Sequence, residues 1–142
     1  MEKTLILLKP DCVQKTLCGK VIARFEEAGF SLRACKMMNL SSEILREHYA
    51  HIADMPFYPE VEKFMQETAV IAMVLEGDKI IERMREMLGV TDCKEAAEGT
   101  IRSDWGSKDD NNSKMKNICH ASDSVENAEV EILRFFSADE VL

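Results

Sequence analysis

Two short, unbroken apolar runs constrain this chain most: the stretch Thr4 to Lys9, TLILLK, and the stretch Val70 to Leu75, VIAMVL. Neither shows helical spacing, and both are far too short to span a bilayer. Pro10 ends the first run, because it has no amide proton to give a sheet ladder. Both runs are therefore expected as strands buried within a sheet, and whatever else the chain forms must cover them.

The covering elements are legible as helices. From Gly19, the residues Val21, Ile22, Phe25 and Ala28 fall on one helical stripe, with Gly29 where a left-handed cap would stand. Ser31 to Asn39 reads as a strand, Ser41-Ser42 opens a helix running to about Ala50, and a Pro-containing loop follows from Asp54 to Pro59. A short helix is expected around Val61 to Gln66. Lys79 to Leu88 reads as a helix with Ile80, Ile81, Met84 and Leu88 inward and Gly89 past its end. Val90 to Lys116 shows no strong period, and Asn117 to Cys119 is at most a short fourth strand. Asp123 and Glu126 are spaced as a capping box for a last helix that would bury Val125, Ala128 and Ile132. The methionines Met37, Met38, Met73 and Met84 are expected to fill the core.

Strands and helices thus alternate in an order that suits an α+β fold, a ferredoxin-like, mainly antiparallel sheet covered by helices. With 142 residues, the chain has the size of one domain, expected over 1–142. Hydrophobic residues at 46% and charged residues at 31% are those of a packed globular protein. A net charge of −8 argues against nonspecific binding to nucleic acid, which needs clustered cations. Five scattered cysteines without a C-x-x-C pair suit free thiols in a reducing compartment. With no signal-peptide core or membrane span, the expected location is cytoplasmic.

Chemistry concentrates near Asn117 to Ser124, NICHASDS, where His120 is expected at the junction of a short strand and a capped helix. An unprotonated imidazole has a reference pKa of about 6.5 and is a competent nucleophile near neutral pH. As a phosphoryl acceptor it would need one ring nitrogen anchored, cations for the arriving phosphates, and donors for the transferring oxygens. Glu131, eleven residues on, could fold back to hold the ring, and Ser122 could donate to the transferred group or its leaving oxygen. Taken alone, His120 also fits a satisfied histidine at a helix entrance. Lys9 at the end of the first strand and Arg102 in the aperiodic stretch are the candidate cations; Arg85 is a third, or simply complements its helix dipole. His48 and His51 read as surface residues, Tyr49 and Phe57 as core or lid packing, and Trp105 as an anchor beneath the polar loop that follows it.

Together, Leu8-Lys9-Pro10-Asp11, Gly99-Thr100-Ile101-Arg102 and Asn117-Ile118-Cys119-His120-Ala121-Ser122-Asp123-Ser124 resemble the nucleoside diphosphate kinase family. The similarity runs nearly end to end, through Phe25-Glu26, Gly29-Phe30, His48-Tyr49, Pro56-Phe57 and Met87-Leu88-Gly89 with Thr91. The resemblance implies a ping-pong reaction in which His120 takes the γ-phosphate of a nucleoside triphosphate, mainly ATP, and passes it to a nucleoside diphosphate. It further implies that Lys9 and Tyr49 meet the transferred phosphate, that Arg85, Thr91 and Arg102 hold the other phosphate oxygens, that Asn117 meets the sugar, and that Phe57 stacks on the base. Stacking suits every base, so broad base and sugar specificity is implied. So are magnesium carried on the phosphates, without a protein metal site, and a homo-oligomer of dimers, tetrameric or hexameric.

The sequence departs from the family pattern in places. Fourteen residues separate Arg102 from Asn117, about five more than usual, with the surplus in the polar Gly106 to Lys116 segment. Cys12 and Ala121 stand where glycine is common, Met55 where arginine is, and Cys93 where proline is. A rival expectation is a catalytically silent nucleotide-binding or assembly protein with the same fold.

Overall fold

The computed structural model describes residues 1–142. Four strands, β1 (Glu2–Leu8), β2 (Ser31–Met38), β3 (Val70–Gly77) and β4 (Cys119–Ala121), form one antiparallel sheet in the order β2-β3-β1-β4. The two apolar runs, β1 and β3, are its central pair, in register from Glu2 opposite Gly77 to Leu8 opposite Ile71. The helices are α1 (Pro10–Gln14), α2 (Cys18–Glu27), α3 (Ser42–His48), α4 (Tyr58–Met65), α5 (Ile80–Leu88), α6 (Ile101–Trp105) and α7 (Val125–Phe135). This is the expected ferredoxin-like arrangement, with α3 and α4 inserted between β2 and β3. No helix is long and apolar enough to cross a membrane.

Alternation along β1 sorts the core into two layers, because successive side chains of a strand point to opposite faces. Ile6 and Leu8 face Val21 and Phe25 of α2 and Ile80 and Met84 of α5; Leu5 and Leu7 face Leu45 of α3, Phe64 of α4 and Phe135 of α7. Directly paired residues share a face. Leu7 pairs with His120, so the histidine projects on the α3 and α7 side, while Leu8 pairs with Cys119, whose thiol is buried in the other layer.

Several expectations need correction. Pro10 does not merely end β1; it opens a helix, where its missing amide costs nothing. The aperiodic stretch contains α6, only five residues long and started by Thr100, whose hydroxyl accepts from the Ser103 amide. The fourth strand is Cys119–Ala121, so His120 lies within it rather than after it. Ser124, not Asp123, caps α7, accepting from the Asn127 amide, and Asp123 instead takes the Asn127 side chain at 2.5 Å. Val125, the first residue of α7, stands outward, 40% exposed, while Ala128 is buried. Met73 and Met84 are core residues, but Met37 on the edge strand β2 is 59% exposed.

Candidate active site

The segment leading into β4 is held in an unfavourable backbone conformation. Ile118 has φ +77°, a region that a β-branched side chain avoids, and the Cys119 amide donates to the Asn117 carbonyl at 2.9 Å. That is a γ-turn of the rare, strained kind. Such strain, roughly 1–3 kcal/mol, persists only where the surroundings over-determine the geometry. Here the Ile118 amide donates to the buried Asp11 carboxylate at 3.0 Å, and its carbonyl accepts from the Lys9 amide at 2.9 Å. The Arg102 guanidinium donates to the flanking Asn117 and Cys119 carbonyls at 3.2 and 2.7 Å and to the Gly89 carbonyl at 2.9 Å. Gly89, with φ +88°, could carry no side chain, since a Cβ would stand 2.7 Å from Thr100 Oγ1. The ends of β1, α5 and α6 are thereby knotted around one turn, two residues before His120.

His120 emerges half-buried from that turn. Its Nε2 lies 3.0 Å from Glu131 Oε1, which also accepts from Ser122 Oγ at 2.6 Å. Ser122 Oγ in turn accepts from the Leu5 amide at 3.0 Å, tying the carboxylate to the central strand. Burial by itself would raise the Glu131 carboxyl, but the hydrogen bonds from His120 and Ser122 hold it below its ordinary value. An ionised Glu131 accepts the Nε2 proton, and Nδ1 is the ring nitrogen left without a partner. Ser122 is fully buried and outside the cavity lining, its hydroxyl donating to Glu131.

His120 and Glu131 line a cavity of about 710 Å³ whose wall also carries Lys9, Arg85, Arg102, Lys114 and Arg134. These cations face one hollow although the chain is strongly acidic, which focuses a positive field where an anion would sit. Tyr49, Thr91 and Asn117 line it too. Arg85 and Thr91 are exposed, whereas Asn117 is buried. Asn117 cross-links the rim, accepting from Lys9 Nζ at 2.8 Å and donating to the Thr91 and Lys114 carbonyls at 3.0 and 3.2 Å. Burial, then the charge of Arg102, lowers the Lys9 ammonium to about 8. Phe57 does not line the cavity; it stands 47% exposed just before α4.

Two further residues belong to the site, although the motifs that contain them, Lys9-Pro10-Asp11 and His48-Tyr49, gave them no role. Asp11 holds the strained turn, with its second oxygen buried and unpartnered. His48, expected at the surface, is only 8% exposed and packs edge-on against His120, the ring centroids 4.6 Å apart. His51 is exposed, as expected. His48, His120 and Glu131 form the one cluster able to hold a metal ion. Its two imidazoles and single carboxylate do not suit magnesium, which prefers oxygen ligands, and the carboxylate oxygen nearest the rings is already shared.

The enlarged segment is folded rather than loose. Ser107 and Cys93 donate backbone bonds to Lys116 and Ser113, Lys108 Nζ reaches the Cys93 carbonyl at 2.9 Å, and Lys94 pairs with Asp110. Trp105 anchors its base, with the Arg24 guanidinium 4.1 Å above the ring.

The family model for nucleoside diphosphate kinase matches residues 2–141. A nucleoside diphosphate kinase of Chlorobium chlorochromatii is 46% identical over 142 residues, covering 100% of this chain and 98% of the relative. Two solved structures share the fold closely. The Halobacterium salinarum enzyme in complex with CDP superposes with a TM-score of 0.92 at 37% identity, covering 99% of this chain and 91% of that one. The Aquifex aeolicus enzyme gives 0.90 at 40% identity, covering 99% of each.

Two outcomes are expected. Asp11→Ala should leave the Ile118 amide buried without an acceptor, costing about 1–3 kcal/mol and speeding its hydrogen exchange; unchanged stability and protection would refute the role given to Asp11. Lys9 is largely uncharged above its value of about 8, and phosphates would restore its proton. Calorimetry of nucleotide binding at about pH 8.5 in buffers of different ionisation enthalpy should therefore show proton uptake, absent in Lys9→Gln. Equal uptake in both proteins would contradict this.

Proposed function

This chain belongs to the nucleoside diphosphate kinase family, and from that premise we propose that it moves a γ-phosphate between nucleotides in two steps through His120 Nδ1. The observation that carries the reading is the asymmetry of the imidazole. Nε2 is held by Glu131, and Nδ1 is free in a ring that lines a cationic cavity.

In the first step the Nδ1 lone pair forms a bond to the γ-phosphorus while the bond from phosphorus to the bridging oxygen breaks. The nucleoside diphosphate leaves with that electron pair. The ring gains positive character, and Glu131, kept ionised by its two hydrogen bonds, stabilises the proton that stays on Nε2. A second diphosphate then attacks the phosphohistidine, and the same steps run in reverse. Lys9, Arg85 and Arg102 neutralise the phosphate oxygens; Tyr49, at the same wall, is the candidate hydroxyl donor to the transferred group, and Thr91 a further phosphate contact. Magnesium would enter as part of the substrate, with the nucleotide phosphates, and would help to neutralise their charge.

Asn117 is assigned to the sugar and Phe57 to the base. Phe57 supports this by its exposure, which leaves an aromatic face free for stacking without reading base edges. Broad specificity for the base follows from that mode of contact, and a broad sugar range with ATP the main donor is proposed on the family membership. A relative solved with CDP fits the same reading. A cytoplasmic location suits the five free thiols. Assembly into a homo-oligomer suits the exposed apolar residues Leu32 and Met37 on the edge strand β2.

Incubation with γ-labelled ATP should give an acid-labile phosphoenzyme that nucleoside diphosphates discharge, and His120→Ala should not label. A wild type that binds nucleotide but never labels would point instead to a silent binding protein.

A further inference from the structure

Glu131 and Arg134 stand three residues apart on α7, so they share one face of the helix. Glu131 holds His120, and Arg134 Nη1 lies 3.0 Å from His48 Nδ1. The two imidazoles held in this way meet edge to face, 4.6 Å apart at 81°. A guanidinium only donates, so His48 Nδ1 must present its lone pair and the ring proton must sit on Nε2. The Arg134 side chain is itself mostly buried and is steadied by Glu47, 3.5 Å from its Nε on the residue before His48.

We infer that Arg134 is a positioning residue: it fixes His48 as an uncharged plate of one tautomer, and that plate sets the orientation of His120. The inference rests on the reaction proposed above. The other walls of the His48 niche explain why such a fixture is needed. Phe135 and Tyr49 pack edge-on at 5.3 and 4.9 Å, so they confine the ring without selecting either nitrogen. The titratable and charged groups around it are His120 from β4, Glu131 and Arg134 from α7, and Lys9 beyond the end of β1. Burial, then the nearness of His120, drives the His48 value down to about 3, so the ring stays neutral throughout the working range. With neither charge nor packing to choose the tautomer, the Arg134 hydrogen bond decides it. The other tautomer would set an Nδ1–H against the guanidinium, and the ring would turn away, opening space behind His120.

Arg134 also lines the cavity, so a direct contact with nucleotide is the alternative that the test must separate. The measurement is the long-range proton–nitrogen correlation spectrum of protein labelled at its three histidines, followed from about pH 5 to pH 8, where an ordinary imidazole titrates. Wild-type His48 is expected to show a bare Nδ1 and a protonated Nε2 throughout. In Arg134→Leu its signals should move toward an average of the two tautomers, and phosphorylation in the first turnover should slow on the order of tenfold. The nucleotide KM should rise by less than the transfer rate falls, since the lost charge is one of five around the cavity, and Arg134→Lys, which keeps a donor and the charge, should recover most of the rate.

A wild-type His48 protonated on Nδ1 overturns the inference, as does an Arg134→Leu spectrum identical to wild type. A raised KM with an unchanged transfer rate also overturns it and makes Arg134 a nucleotide contact. Should Arg134→Leu fail to fold, the wild-type tautomer and the Arg134→Lys rate still decide the matter. If the wild type forms no phosphohistidine, the proposed reaction fails, while the spectrum still reports on the Arg134 contact separately.

Discussion

The strained turn at Ile118 is the constraint on which the site depends. It is sustained by a buried carboxylate on its amide and a guanidinium on the carbonyls at either side. Asp11 follows Lys9 by two residues, so the segment that places the lysine also pins the turn that places the histidine. Both groups are thereby referred to the end of β1, at the centre of the sheet. An imidazole delivered from a rigid strand with little freedom of its own would need little reorganisation to act in the proposed transfer.

The same economy governs the electrostatics. A chain with a surplus of acidic residues gathers Lys9, Arg85, Arg102, Lys114 and Arg134 around one hollow and ties several of them to backbone carbonyls or side chains. Arg102 illustrates the double duty: its guanidinium staples three carbonyls while lining the cavity. The field that would attract phosphates and the contacts that hold the site open thus come from the same side chains.

Much of the fold was legible because its signals are local. The runs Thr4 to Lys9 and Val70 to Leu75 and the helical stripe from Val21 announce buried strands and a covering helix within a few residues each. What escaped depends on distant partners. His48 has no neighbour in sequence that marks it as buried; its hydrogen-bonding arginine lies 86 positions away. Asp11 looks like a residue of a helix start until Ile118, 107 positions on, is brought against it. The onset of β4 was misplaced because the positive φ at Ile118 breaks the extended chain, so pairing begins only at Cys119. Helix α6 was missed since one turn is too short to show a period. In the site, His120, Glu131, Lys9, Arg85 and Arg102 do converge, whereas Ser122 lies beneath the carboxylate and Phe57 stands apart from the cavity.

Everything in the account turns on which nitrogen of one ring is available. Phosphorus–nitrogen coupling in the phosphoenzyme of histidine-labelled protein reads this directly. The structure predicts phosphate on His120 Nδ1, with Nε2 still protonated and facing Glu131. Phosphate on Nε2, or on any other residue, would contradict it.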